Sequence, residues 1–189
     1  MKYDFNYWQF SPENQYLDGK SARKKPSELL KHLIAFANAD GGQLIIGIED
    51  EKQDNIITGF KDGKAYPIDD FKKIDREMRD TPLDLSFEEI PVINHKGEDD
   101  LILVISVELS SNRVIVAPND EVYLRQGDES VKLSYEQRIQ LSYDKGQRFF
   151  EDEIIEDATL DDIDELLVQD FKDHFDISER STEEILKAR

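Results

Sequence analysis

Residues 34–50 read IAFANADGGQLIIGIED, and the order of residue types in this stretch decides the architecture. Leu29, Leu30, Leu33, Ile34, Phe36 and Ala37 recur at helical spacing on one face, so the stretch opens inside a helix. Pro26-Ser27 suits the start of that helix, where a proline at the first position gives up no hydrogen bond. The same spacing places Lys31 and His32 off the stripe, toward solvent. Asn38-Ala39-Asp40-Gly41-Gly42 stops the helix, because glycine takes the left-handed backbone of a helix C-terminus. Gln43 to Asp50, with Leu44, Ile45, Ile46 and Ile48, then reads as a buried strand.

Outward from this unit the pattern is mixed. Asp54-Asn55 marks a turn and Ile56-Ile57-Thr58 a short strand ending at Gly59. Residues 67–80 read as an amphipathic helix with Ile68, Phe71, Ile74 and Met78 inside. Leu83 to Ile93 and Leu101 to Val107 predict an antiparallel hairpin around the His95–Asp99 turn. Val114-Ile115-Val116 precede a turn at Pro118-Asn119-Asp120, and Val122–Arg125 returns as a strand. Ser134 with Gln137, Thr159 with Asp162, and Ser181 with Glu184 are capping-box signatures for three further helices. The first is expected to run to about Phe149; the second carries Leu160, Ile163, Leu166, Leu167 and Phe171. Upstream, Tyr3, Phe5, Tyr7, Trp8 and Phe10 supply an aromatic arm, expected to cover a core edge rather than stack on bases.

Composition bounds the function. The 189 residues contain no cysteine, which excludes disulfides, thiolate metal sites and cysteine nucleophiles. No apolar run is long enough for a membrane helix, and the N-terminus lacks the pattern of a signal peptide, so a cytoplasmic location is expected. The net charge is −19, from 43 acids and 24 bases. Residues 151–189 hold 15 acids and 4 bases, leaving −8 for residues 1–150. Nucleic-acid binders draw affinity from neutralising phosphates, so any such site here has to be a local patch.

Two constellations carry chemistry. Lys20, Arg23, Lys24, Lys25 and Lys31 fall within twelve residues, with His32 adjacent, and such a run is able to track a phosphate backbone. Its plain alternative is a solvated start to the helix that balances nearby acids. Glu13, Asp18 and Asp50 offer the carboxylate oxygens that hard divalent cations require. Glu13 and Asp18 lie on opposite faces of a straight strand and converge only if the chain bends between them; solvated carboxylates are the alternative. Gly19-Lys20-Ser21 is not a phosphate loop, since Asn14 stands where that motif needs glycine. His32, His95 and His174 have no metal-ligand spacing.

Four segments in order, ENQYLDGK (13–20), IAFANADGGQLIIGIED (34–50), ITGF (57–60) and YLRQGDES (123–130), resemble the Schlafen AlbA-type domain over roughly residues 10–150. The resemblance implies an α+β, AlbA-like domain, a mixed sheet with packed helices, over residues 1–150. Residues 151–189 are then an acidic helical extension and the start of a further region. It implies a nucleic-acid-binding module of a transcriptional-regulator-like protein, with DNA or RNA as partner, no membrane, and homo-oligomerisation left open. Binding of that kind requires no cofactor. Some relatives are metal-dependent RNA endonucleases, which would make Glu13, Asp18 and Asp50 catalytic ligands of Mg²⁺ or Mn²⁺ with Lys20 beside the phosphate. Two positions depart from the family pattern: Asp18 stands where glutamate is usual, and Gly19 where a bulky apolar residue is usual. A protein-interaction module with the acidic tail as its partner surface is the reading from a different class.

Overall fold

Period-two alternation along the strands and a helical stripe above them place two apolar cores on opposite faces of one sheet. The computed structural model describes residues 13–51, 54–61, 63–78, 81–146, 164–175, 177 and 179–181, with backbone alone at 50, 51, 54, 55 and 77. These belong to two compact units, within residues 1–149 and 150–189. The aromatic arm and the helix expected from Ser181 onward lie outside the described residues.

In the first unit, β1 (Leu17–Lys20) leads to α1 (Pro26–Asn38), and α1 returns as β2 (Gly42–Ile46), parallel to β1. Pro26 occupies the first turn of α1 as expected, and Lys25 precedes it without a side-chain cap. The strand expected over 43–50 is broken at Gly47, whose φ of 104° suits only glycine. A Cβ there would come within 3.2 Å of both Ile102 Cγ2 and the Gly59 backbone. The chain turns at this point into a separate hairpin, β3 (Ile48–Glu51) and β4 (Asp54–Ile57).

The helix expected over 67–80 is present only as α2 (Ile68–Phe71) and a 3₁₀ turn at Ile74–Glu77. Ile68, Phe71 and Ile74 are spaced by three, a period that matches three residues per turn and keeps the buried positions aligned without a continuous α-helix. β5 (Leu85–Ile93) and β6 (Asp99–Val107) form the expected hairpin, and β6 also pairs antiparallel with β2. The mixed sheet has the order β1-β2-β6-β5. Val114 and Ile115 are buried but form no strand; β7 (Tyr123–Gln126) pairs instead with β8 (Glu129–Lys132). Ser134 then opens α3 (Tyr135–Asp144) with the complete reciprocal capping box.

Leu44, Ile46, Leu103, Ile105 and Val107 face α1 and meet Leu29, Leu30, Leu33, Ile34 and Phe36. Ile45, Ile102 and Val104 face the other way, against Leu17, Ile48 and Ile57. Each fully buried Leu, Ile or Phe of the helix stripe contributes about 1.5–3 kcal/mol. In the second unit, α4 (Glu165–His174) is capped by Asp164, whose carboxylate accepts from the Leu166 and Leu167 N–H groups. The start expected at Thr159 lies outside the described residues. No helix among the described residues is long and apolar enough to cross a membrane.

Candidate functional site

β1 puts Leu17 into the hairpin-side core, so alternation turns Asp18 and Lys20 toward α1. Asp18 is only 1% exposed and sits at the centre of a polar cluster. Its Oδ2 accepts from Arg125 Nη1 at 3.0 Å and faces His32 Nδ1 at 3.1 Å, while the Lys20 ammonium reaches Oδ1. Ser130 Oγ lies 3.0 Å from His32 Nδ1 and 3.4 Å from Arg125 Nη1.

Arg125 is the residue that the two constellations did not contain. Its side chain is fully buried and spends its donors on Asp18, on the Asn14 carbonyl (2.9 and 3.2 Å) and on the Leu17 carbonyl (3.2 Å). Its guanidinium lies 4.9 Å over the Phe36 ring. The planar fork thus ties β7 to the turn before β1 and to the end of α1, which a lysine could not do with one point charge. The sequence signal was YLRQG, an arginine in an apolar strand ahead of a turn.

The chain does bend between Glu13 and Asp18. Asn14 Oδ1 accepts from the Tyr16 N–H at 2.8 Å, and Asn14 bridges to Leu17 across the turn. Gln15 clamps this turn to the β7–β8 hairpin, donating to the Arg125 carbonyl at 3.2 Å and accepting from the Gly127 N–H at 2.9 Å. Glu13 Oε1 consequently accepts from the Gly19 N–H and from Lys20 Nζ, both at 3.2 Å. Glu13 and Asp18 also share a hydrogen bond. Burial, that bond and the Asp18 charge push the Glu13 carboxyl up. For Asp18, burial pushes up, but the bonds from His32 and Glu13 and the Lys20 ammonium outweigh it, holding the carboxyl well below the usual range. The two carboxyls are thus shifted in opposite directions, Glu13 up and Asp18 down.

His32 is not directed to solvent, as the helical stripe suggested. It is three residues after Leu29 and four before Phe36, which puts it on the same face, and its side chain is 14% exposed against Asp18. The basic run divides accordingly. Lys20 is held by Glu13 and Asp18, and Arg23 pairs with Glu49 at 3.5 Å. Lys24, Lys25 and Lys31 are exposed and form no ion pair among the described residues. Asp50 lies in β3 opposite Asn55, and its side chain is outside the described residues.

A hard divalent cation is held by carboxylate and carbonyl oxygens. Both Asp18 oxygens face cationic or imidazole donors, and an ion placed there would sit beside the Lys20 ammonium and the Arg125 guanidinium. Among the described residues no group of three or more His, Asp or Glu side chains is placed to hold a metal. Glu13 and Asp18 are engaged by Lys20, His32 and Arg125, and the side chain of Asp50, the third expected ligand, lies outside the described residues.

A mixed four-stranded sheet beneath a helix that ends in Ala-Phe-Ala-Asn, with a buried arginine locking the first strand, defines an α+β domain of the AlbA-like kind. The family model described as "Schlafen, AlbA_2" matches residues 13–134, and the chain belongs to that family. Among solved structures, the DIP2311 protein from Corynebacterium diphtheriae is similar, at 22% identity and a TM-score of 0.48, over 91% of this chain and 37% of that one. This chain therefore spans little more than a third of that protein. No curated protein matches it.

Proposed function

We propose that the first unit is a nucleic-acid-binding module of a transcription-regulator-like protein, gripping phosphates with Lys24, Lys25 and Lys31. The observation that carries this reading is the division of the basic run. Lys20 and Arg23 are committed to carboxylates, whereas Lys24 and Lys25 stand exposed just before α1 and Lys31 in its second turn. The first turn of α1 has no side-chain cap, and its Glu28 N–H donates to the Lys25 carbonyl at 2.9 Å, so the lysine side chains are the groups offered to phosphate. The Glu28 carboxylate in that turn opposes them in part. The acidity of the body is no bar to a local site, because charges beyond about 8–10 Å are largely screened at physiological salt. The buried Asp18 cluster plays a supporting part, fixing β1 and α1 and with them the segment that presents the lysines.

The test incubates the whole chain with labelled tRNA, single-stranded DNA and duplex DNA, with and without Mn²⁺, at two salt concentrations. Salt-sensitive binding without cleavage is the expected result. Mn²⁺-dependent cleavage that disappears in Glu13→Ala and Asp50→Ala would replace this reading with that of a nuclease. No binding to any of the three would leave the module as a protein-interaction domain.

A further inference from the structure

The helix that presents the lysines also forms one wall of a cleft of about 560 Å³, within the roughly 300–1,000 Å³ typical of ligand sites. Leu30 and Ile34 of α1, both buried, and Tyr123 of β7 are among the residues that line it. Pro118 and Asn119 form the opposite wall, and Glu28 and Lys31 stand at its polar side. That wall is built in advance. Ala117 N–H donates to the Glu121 carbonyl at 2.8 Å, Asp120 takes a φ of 63°, and Arg138 grips Asp120 at 3.1 Å. The Tyr123 hydroxyl donates to Glu121, which fixes the ring from its far end.

We infer that this cleft receives a nucleobase, so that the module takes single-stranded rather than duplex nucleic acid. The inference rests on the phosphate-gripping role proposed for Lys24, Lys25 and Lys31. A base in a duplex has no free face, whereas an unpaired one offers both faces to an aromatic ring and a proline. The polar groups fit a nucleotide chain better than a small cofactor. Lys25 and Lys31 are roughly 9 Å apart along the helix axis at 1.5 Å per residue and lie on different sides of it, so they suit different phosphates rather than one. Glu28 repels phosphate, yet its carboxylate is an acceptor for the exocyclic amine of cytosine or adenine, which thymine and uracil lack. The cleft therefore favours amino-bearing bases.

Fluorescence anisotropy of labelled oligo(dC), oligo(dT) and a duplex of equal length tests this on the whole chain. Ser27 is exposed and lines the cleft, so Ser27→Phe fills the space without removing a lysine. Wild type is expected to bind oligo(dC) about tenfold more tightly than duplex, the size of one stacked base. Ser27→Phe brings oligo(dC) down to the duplex level and leaves duplex binding alone, and Glu28→Gln narrows the gap between oligo(dC) and oligo(dT). Should Ser27→Phe lower the melting temperature, chemical-shift changes on adding cytidine 5′-monophosphate serve instead, with shifts at Ile34 and Tyr123 expected. Full single-strand preference in a folded Ser27→Phe, or no such shifts at millimolar nucleotide, overturns the pocket. If Lys24→Ala/Lys25→Ala still weakens both ligands, the phosphate-gripping role survives that failure. Unchanged binding in the lysine variant overturns both.

Discussion

Replacing Arg125 by methionine keeps much of the buried volume while removing the charge that faces Asp18. The guanidinium now supplies one bond to Asp18, two to the Asn14 carbonyl and one to the Leu17 carbonyl, and it stacks over Phe36. In Arg125→Met the Asp18 carboxylate remains buried with Lys20, His32 and Glu13 but without the guanidinium, and two backbone carbonyls lose donors. Removing one partner of a buried pair costs about 3–5 kcal/mol, because the remaining charge stays desolvated. For a domain of this size each kcal/mol lowers the melting temperature by about 2–4 °C, so the expected drop is about 6–20 °C. Lys72→Met is the internal control: its pair with Glu89 is about a third exposed on both sides, and such pairs contribute about 0.2–1 kcal/mol. Thermal and urea melts of both variants, with Asp18→Asn/Arg125→Met to recover part of the loss, measure the difference. An Arg125→Met drop no larger than that of Lys72→Met would refute the claim that this pair locks the fold.

Because the folded Glu13 carboxyl is raised above its ordinary 4.5, the folded state binds the extra proton, and stability declines as pH rises from 4.5 through the folded value. Glu13→Gln removes that decline in urea melts taken across the range. Asp18 acts with the opposite sign, so its contribution is present above the ordinary carboxylate range and is lost as pH falls through its depressed folded value. Asn38 donates to the Ile115 and Tyr123 carbonyls at 2.8 and 2.9 Å and accepts from the Ile115 N–H at 2.7 Å. Asn38→Ala leaves these buried groups short of partners at about 1–3 kcal/mol each, and the amide of Ile115 should lose hydrogen-exchange protection. Gly42→Ala drives a methyl to within 2.4 Å of the Phe36 ring, and a chemical melt should show a loss of about 1–3 kcal/mol.

The helix with its double glycine was legible because local rules determine it: a 3.6-residue stripe, a proline at its start, and glycines after its end. The two glycines serve different needs. Gly41 adopts φ 77°, and Gly42 gives up its side chain to the Phe36 ring, a tertiary contact that spacing cannot reveal. The end of β2 was not legible, because the apolar run from Leu44 to Ile48 continues through Gly47, while the turn there is imposed by the approach of Gly59 and Ile102. In the site, the acids and the basic run were visible as residue types, but their pairing depends on the Asn14–Leu17 bend and on β7, over a hundred residues away. His32 was within reach of sequence reasoning, since counting three from Leu29 and four to Phe36 places it on the buried face. Arg125 was visible as part of a motif, but its burial followed only from three-dimensional packing.

The central claim is that the exposed Lys24, Lys25 and Lys31, before and along α1, make the contacts to phosphate. Its most direct test is the slope of log Kobs against log salt concentration for a single-stranded oligonucleotide, measured for wild type and for Lys24→Ala/Lys25→Ala/Lys31→Ala. Each phosphate contact contributes about 0.7 to the slope on a single strand, so the triple variant should flatten it by about 2. A slope unchanged by the three substitutions would contradict the claim.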